Sequence, residues 1–483
     1  MTTARTHAFT DDALGDLDTV GLVAALQSRE VSVVEVVEAA IARVEKVDAV
    51  LNAVACPAYD RARVLAAAPR GGWLAGVPTM VKDNVDVAGL PTQDGSDAFR
   101  ARPARVDGDL ARMYLGTGLI ELGKTQLSEL GLSATAEHPR LGPVRNPWHP
   151  SYVAGASSAG AAALVASGAL PIAHANDGGG SIRIPASVTG LVGLKPTRDR
   201  LAQDRLMRDM PIRIVADGVL TRSVRDTAVF LREAEKIYRA LHLPPVGDVH
   251  RPGRGRLRIA LATSSTNAPA SAEVGDLTRQ VGRWLEDLGH RVDELGPEQS
   301  TPIMSPSFPD DFLLYWAMLA MVVVRTGRRR HGRSWDPTRL DQLTLGLDRH
   351  ARRNLHRLPT TIARLRRAPR RNAAELWARY DVLLTPTTAH ETPRLGHLDP
   401  TQDLEVVLER LRAWVSFTPL HNVTGDPAVS LPLVTTAGGL PHGMMFAAAA
   451  GREATLLELG LELEEAHPFA RITDPAAEPT TEP

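Results

Sequence analysis

Cysteine is almost missing from these 483 residues: Cys56 stands alone. A disulfide within the chain is thereby excluded, and so is any zinc or iron–sulfur site built on thiolates. No cofactor and no metal is expected. Lysine is nearly as rare, with five residues (46, 82, 124, 195 and 236) against fifty arginines. Arginine stays protonated at any useful pH, whereas a buried lysine can lose its proton. A lysine kept in such a chain therefore invites a chemical explanation. An excess of one charge is also absent, because the formal net charge is -1. The whole-molecule field gives no reason to expect a nucleic-acid partner. Nor is there an apolar run long enough for a bilayer core of ~30 Å. The longest, Phe312 to Val324 (FLLYWAMLAMVVV), reads as a buried helix, with a channel-lining segment as the competing reading. The opening MTTARTHAFTDDALGD lacks the basic, apolar and small-residue order of a signal peptide, so a cytoplasmic protein without membrane attachment is expected.

What the chain does have is an ordinary globular balance, 43% hydrophobic and 23% charged, with 39 glycines and 35 prolines. Residues 16–71 read as N-terminal helices; Ser32 and Glu35 form a capping box ahead of VVEVVEAAIARVEKV. From residue 72 to about 230 the texture becomes short apolar runs punctuated by Gly and Pro, as in GVPTMVKDNV and GALPIAHA, which suit buried strands of an α/β sheet. AGAAALVASGA (159–169) is a small-residue helix able to approach a sheet closely. A strand is expected at Leu257–Leu261, then a helix ending at a Gly289 C-cap. Residues 305–372 read as an arginine-rich helical insertion, whose plainer interpretation is a solvated surface and whose sharper one is a phosphate- or RNA-binding face. It lacks the interleaved aromatics of a single-strand binder. The α/β texture returns over 380–467, and a polar tail at 474–483 is expected to be disordered. One domain over residues 1–475 accounts for these parts, and a homodimer is left open.

Two motifs mislead. Gly118-Leu-Ile-Glu-Leu-Gly123-Lys124-Thr125 matches the phosphate-loop pattern letter for letter, but its bulky middle reads as a strand rather than a wrap of amides. Gly155-Ala156-Ser157-Ser158-Ala159-Gly160 resembles a nucleophile elbow, yet alanine stands where that motif wants glycine. The late histidines that would complete it, His421 and His442, are not singled out by spacing.

The stretch that carries chemistry is Asp177-Gly178-Gly179-Gly180-Ser181-Ile182-Arg183. Successive glycines let backbone N–H groups turn inward as an anion-binding nest. Set before a serine, such a nest becomes an oxyanion hole for a carbonyl attacked by that serine. The base it needs is offered by Lys82, at the end of the predicted strand GVPTMVK, with Ser157 and Ser158 as a relay. The competing interpretation of Lys82 is a buried ion pair with Asp83.

These segments together resemble the amidase signature family of serine hydrolases. GASSAG, ANDGGGSIRIPAS and GLVGLKPT match its signature region, GVPTMVKDN its lysine strand, GKTQLSELG its GKTN-x-x-E segment and HNVTGDPAVSLPLVTTAGGLPHGMMF its closing motif. The form DGGGSIRIPAS resembles the branch that includes the 6-aminohexanoate cyclic-dimer hydrolases more than it resembles transamidosome subunits, whose usual form is DTGGSIRQPA. The resemblance implies an α/β fold with a central mixed sheet flanked by helices on both faces. It implies Ser181 as nucleophile, Ser157 as a serine on a cis peptide bond, and Lys82 as base. The amides of Gly178, Gly179, Gly180 and Ser181 would form the oxyanion hole, with Asp177, Arg183 and Ser158 as structural support. The activity implied is hydrolysis of a small to medium, linear or cyclic, rather apolar amide. An acyltransferase of specialised metabolism and the glutaminase subunit of a tRNA-dependent amidotransferase are the alternatives. Departures are Ala156 and Ala159 at glycine positions, whose methyls bear on the relay loop, and Gln126 for asparagine.

Overall fold

The computed structural model describes residues 5–265, 267–296 and 305–475; the expected tail lies, beyond residue 475, outside them. The capping box forms as read: Ser32 Oγ accepts from Glu35 N at 3.2 Å, Glu35 accepts from Ser32 N at 2.8 Å, and helix α1 (Val33–Leu51) follows. The N-terminal region is not helical throughout. Asn52 takes a left-handed conformation (φ 52) that ends α1, and strand β1 (Val54–Pro57) follows. Strand β1, with β2 (Pro78–Lys82) and β3 (Ile120–Thr125), makes a three-stranded sheet in the order β1-β3-β2. The phosphate-loop lookalike is thus mostly strand β3, as its bulky middle residues require, and Lys124 points into an ion pair with Asp83 at 3.0 Å.

The main sheet has eight strands: β4 (Ile172–Asp177), β5 (Val192–Lys195), β6 (Ala216–Thr221), β7 (Arg258–Leu261), β8 (Arg291–Glu294), β9 (Val382–Pro386), β10 (Ala428–Thr435) and β11 (Pro441–Ala448). Their order is β8-β7-β9-β11-β10-β5-β6-β4. β7 runs parallel to β8 and β9 while the other pairs are antiparallel, so the sheet is mixed. Alternation along the strands sorts the core into two layers, as a period of two demands. Ile259, Leu261, Val382, Leu384, Met444 and Phe446 lie in the layer covered by the helices at 272–287 and 453–466. Their neighbours Ala260, Leu383, Met445 and Ala447 pack with the helices of the 305–372 region. Helices therefore cover both faces.

Two short helices carry the loops of interest, α2 (Ala159–Ala166) and α3 (Arg183–Thr189). On the opposite layer lie α4 (Phe308–His331) and α5 (Gln342–Arg353). The apolar run Phe312–Val324 is the heart of α4, a buried helix as expected, and among the described residues no helix is long and apolar enough to cross a membrane. Most arginines of this region, including Arg328, Arg329, Arg330, Arg352 and Arg353, are exposed, in line with a solvated surface. Polar contacts tie the region to the turn after β3 and hold its own helices together: Asp341 N donates to Glu129 Oε2 at 2.7 Å, and Arg364 Nε donates to Asp311 Oδ2 at 2.7 Å.

Small residues let α2 sit against β1 and β3. A Cβ on Gly160 would meet Ala53 O at 2.3 Å and Gln126 N at 2.7 Å, backbone atoms that cannot swing away. Gly160→Ala is expected to cost about 1 to 3 kcal/mol through overpacking, read as a lower denaturant midpoint. An unchanged midpoint would show that the loop ahead of α2 is not fixed by this approach.

Candidate active site

Strand β2 ends on Lys82, and β4 lies beside it: Thr79 Oγ1 donates to Ile172 O at 3.0 Å. The lysine is wholly buried. Its Nζ lies 2.7 Å from Ser157 Oγ, 2.9 Å from Ser158 Oγ and 2.7 Å from Asn176 Oδ1. No carboxylate is among these partners, so the ion pair with Asp83 is not made; Asp83 is taken by Lys124. Burial brings the Lys82 amine down from the usual lysine range to about 7, against the charges of Asp217, Asp177 and Asp94, which hold it up.

Asn176 O lies farther off, at 3.4 Å, and the three nearer partners of Nζ are not equivalent. Asn176 Nδ2 donates to Asn84 Oδ1 at 3.2 Å, leaving Oδ1 as a pure acceptor. Ser158 Oγ donates to Asn176 O at 3.2 Å, so toward the lysine it accepts. A neutral amine has two protons and one lone pair. The protons go to Asn176 and Ser158, and the lone pair faces the one hydroxyl with a proton to give, Ser157. The peptide bond before Ser157 is cis, as the resemblance implied, and Gly155 stands before it at φ 69.

Asp177, at the end of β4, organises the glycine turn. Its Oδ1 accepts from Gly180 N at 2.8 Å, and its two oxygens accept from Arg183 Nε and Nη2, both at 2.9 Å. Burial would push this carboxyl up, but the Arg183 guanidinium overrides it, with Asn422 and Lys195 adding to the effect, and holds it far below the usual range. Arg183 also donates to Thr418 O at 2.9 Å and Asn422 Oδ1 at 2.7 Å, on and beside helix α6 (Pro419–Thr424). Asn422 Nδ2 returns hydrogen bonds to Asp177 O and Oδ1, both at 2.8 Å. Asp177 and Arg183 thus brace the turn, and Asn422 and Thr418 complete the brace. Asn422 carries no signal in the sequence beyond lying in the closing motif, and Thr418, three residues ahead of that motif, carries none.

The brace narrows the expected set of amide donors. Gly180 N–H is spent on Asp177. The amides of Gly178, Gly179 and Ser181 have no protein acceptor among the described residues. Ser181 Oγ likewise has no hydrogen bond there, and none joins it to Ser157. Ser181 instead faces a cavity of about 110 Å³ whose wall is mostly apolar. Phe312 and Trp316 on α4 stack on each other with ring centroids 5.9 Å apart and cover the glycines: a Cβ on Gly179 would lie 3.3 Å from Phe312. Ala156, Leu132 and Leu408 line the same space, and Arg412, paired with Asp310 at 2.9 Å, is the charged group at its rim. His421 and His442 are buried and hydrogen-bond to neither Ser157 nor Ser158, which removes the elbow interpretation. Among the described residues no cluster of side chains suits a metal ion.

A mixed sheet covered on both faces, with a lysine and serines buried beside a glycine turn, belongs to an α/β enzyme. Residues 35–457 match the Amidase family, and the chain belongs to it, within the amidase signature enzymes. It is 59% identical over 468 residues to a protein of Mycobacterium leprae (strain TN) named "Putative amidase AmiC", covering 97% of this chain and 99% of that one. It is 32% identical to the 6-aminohexanoate-cyclic-dimer hydrolase of Paenarthrobacter ureafaciens, covering 92% of this chain and 93% of the other. A solved structure of 6-aminohexanoate cyclic dimer hydrolase complexed with substrate superposes with a TM-score of 0.85 at 29% identity, over 96% of this chain and 99% of that one. The branch suggested by DGGGSIRIPAS is therefore among its relatives, and the chain is an amide-hydrolysing enzyme.

Removing one partner of the buried Asp177–Arg183 pair leaves the other charge uncompensated, so Asp177→Asn is expected to cost about 3 to 5 kcal/mol. Asp177 titrates lower in the folded chain than unfolded. Its contribution is complete above the ordinary carboxylate range and is lost only as pH falls toward the folded value. Urea unfolding at neutral pH checks the variant; equal stability would mean that the turn is braced elsewhere.

Proposed function

We propose that this chain hydrolyses an apolar carboxylic amide through an acyl-enzyme on Ser181, with Ser157 passing protons to and from Lys82. The observation that carries the proposal is the fully buried Lys82 amine, 2.7 Å from Ser157 Oγ and without a carboxylate partner. An amine in that setting is available as a base near neutral pH.

Lys82 takes the Ser157 proton, Ser157 takes that of Ser181, and Ser181 Oγ forms a bond to the substrate carbonyl carbon. The carbonyl π pair moves to oxygen, where the amides of Gly178, Gly179 and Ser181 receive the negative charge. Collapse reforms the carbonyl and breaks the C–N bond, and the proton held by Lys82 returns through Ser157 to the leaving nitrogen. Water then attacks the ester, giving its proton to the same relay, and leaves a carboxylic acid with Ser181 restored. The one movement required is a shortening of the Ser157–Ser181 separation, a change common to catalytic hydrogen bonds when substrate binds. The apolar wall of Phe312, Trp316, Leu132 and Leu408 favours an acyl or amine group made of methylenes or aryl carbons, linear or cyclic. Polar groups in the lining are few, Ser133, Asn267 and Arg412 among them, so the space suits an apolar group better than the side chain of glutamine.

A fluorophosphonate probe is expected to label one site, and Ser181→Ala to abolish the label; label retained on the variant would move the nucleophile elsewhere. The neutral form of Lys82 is the active one, so kcat/KM should rise with pH through an apparent pKa of about 7. Lys82→Arg keeps the charge but cannot deprotonate, and a loss of at least ~100-fold is expected. Near-normal turnover in that variant would sink the lysine base.

A further inference from the structure

Strand β4 offers two side chains to Lys82, not one. His174 and Asn176 stand two residues apart and so share a face. Asn176 takes the lysine's Nζ, while His174 Nδ1 accepts from the lysine's backbone N–H at 3.3 Å. On the adjacent strand β6, Asp217 pairs with Asn176 across the ladder, which puts Asp217 on the same face. There its Oδ1 lies 3.3 Å from His174 Nε2. All three residues are buried: Lys82 0%, His174 1% and Asp217 4% exposed.

This geometry decides the tautomer. A ring nitrogen that accepts from a backbone N–H carries no proton, so the His174 proton is on Nε2 and points at Asp217. The imidazole is then neutral, and the Asp217 carboxylate has a hydrogen bond but no cation against it. The other acids facing Lys82 differ. Asp177 is covered by Arg183 through two hydrogen bonds, and Asp83 is paired with Lys124. Asp94 stands on the loop after β2 with its own carboxyl pushed up by burial to about 7, and Asp204 faces Asp217 rather than the lysine. The His174 ring is held from the side by Tyr114, edge-on at 5.5 Å, whose hydroxyl is fixed at 2.6 Å from Thr79 Oγ1.

We propose that His174 and Asp217 are a positioning couple for Lys82: His174 tethers the lysine by its backbone, and Asp217 supplies the buried negative charge that sets how readily the amine gives up its proton. The inference deepens the proposed function and rests on Lys82 being its base. Without Asp217, desolvation acts on the amine with less opposition. The neutral form is then reached at lower pH, and the amine becomes a weaker acceptor for the Ser157 proton.

The scarcity of lysine makes the test direct. Protein labelled with [13Cε]lysine carries five signals, and the one lost in Lys82→Arg belongs to Lys82. In Asp217→Asn the Lys82 titration midpoint is expected to fall by about one pH unit or more, as for loss of a nearby opposite charge. The rising limb of kcat/KM should move to lower pH by the same amount while the plateau falls. Asp217→Ser carries the same expectation should the first variant not fold, and Asp217→Glu should restore much of the shift. An unmoved midpoint, with kcat/KM lowered equally at every pH, means a purely structural role and overturns the proposal. A midpoint that moves while the limb stays upholds the couple and removes Lys82 as the base, so the two readings fail separately.

Discussion

The buried pair of Asp177 and Arg183 is the interaction on which the site depends. It closes a turn of three glycines that would otherwise have wide conformational freedom, and it spends one amide, that of Gly180, to do so. The same guanidinium reaches Thr418 and Asn422, so a loop at the edge strand β4 is clamped to a helix more than two hundred residues later. Charge in a dry interior is costly unless every hydrogen-bonding position is used. Here the carboxylate accepts from Gly180, Arg183, Ile182 and Asn422. The rigidity of the turn follows from that saturation.

Lys82 shows the opposite design. Its amine is surrounded by neutral oxygens, with acids kept at one remove, and that leaves it without a directly paired countercharge. Lys124 and Lys195, equally buried, are held differently: the first by Asp83, the second by a carbonyl, Pro196 O, at 2.7 Å. Of five lysines in the chain, three are fully enclosed. Residue type alone therefore did not distinguish a lysine without a carboxylate partner from an ion-paired one; the neighbours did.

Much of the site was legible in the sequence because its parts are marked by unusual composition. Three glycines before a serine, a lysine at the end of an apolar strand and paired serines ahead of a small-residue helix each name their own position. The helix after Ser32 was legible through its capping box and periodicity, and the core of the long helix at residue 308 through an unbroken apolar run. What was not legible has a common cause. Asn176, Thr418 and Asn422 are ordinary polar residues whose meaning arises from partners far away in the chain; Asn422 meets Asp177 across 245 residues. Strand β1 was hidden because four residues between two helices have too few alternations to betray a period of two. The withdrawal of the Gly180 amide was hidden as well, since a run of glycines does not say which of its N–H groups the adjacent aspartate will claim.

The missing Cβ atoms at Gly178 and Gly179 have one more effect. They leave a gap that the rings of Phe312 and Trp316 fill, so the floor of the site comes from one sheet edge and its roof from a helix laid on afterwards in the chain. Floor and roof share no backbone segment. Sequence change along α4 can therefore resize the chamber while the hydrogen-bonded cluster below, built from β2, β4 and the loop before α2, keeps its dimensions. Such a division lets one set of chemical parts serve amides of quite different shape.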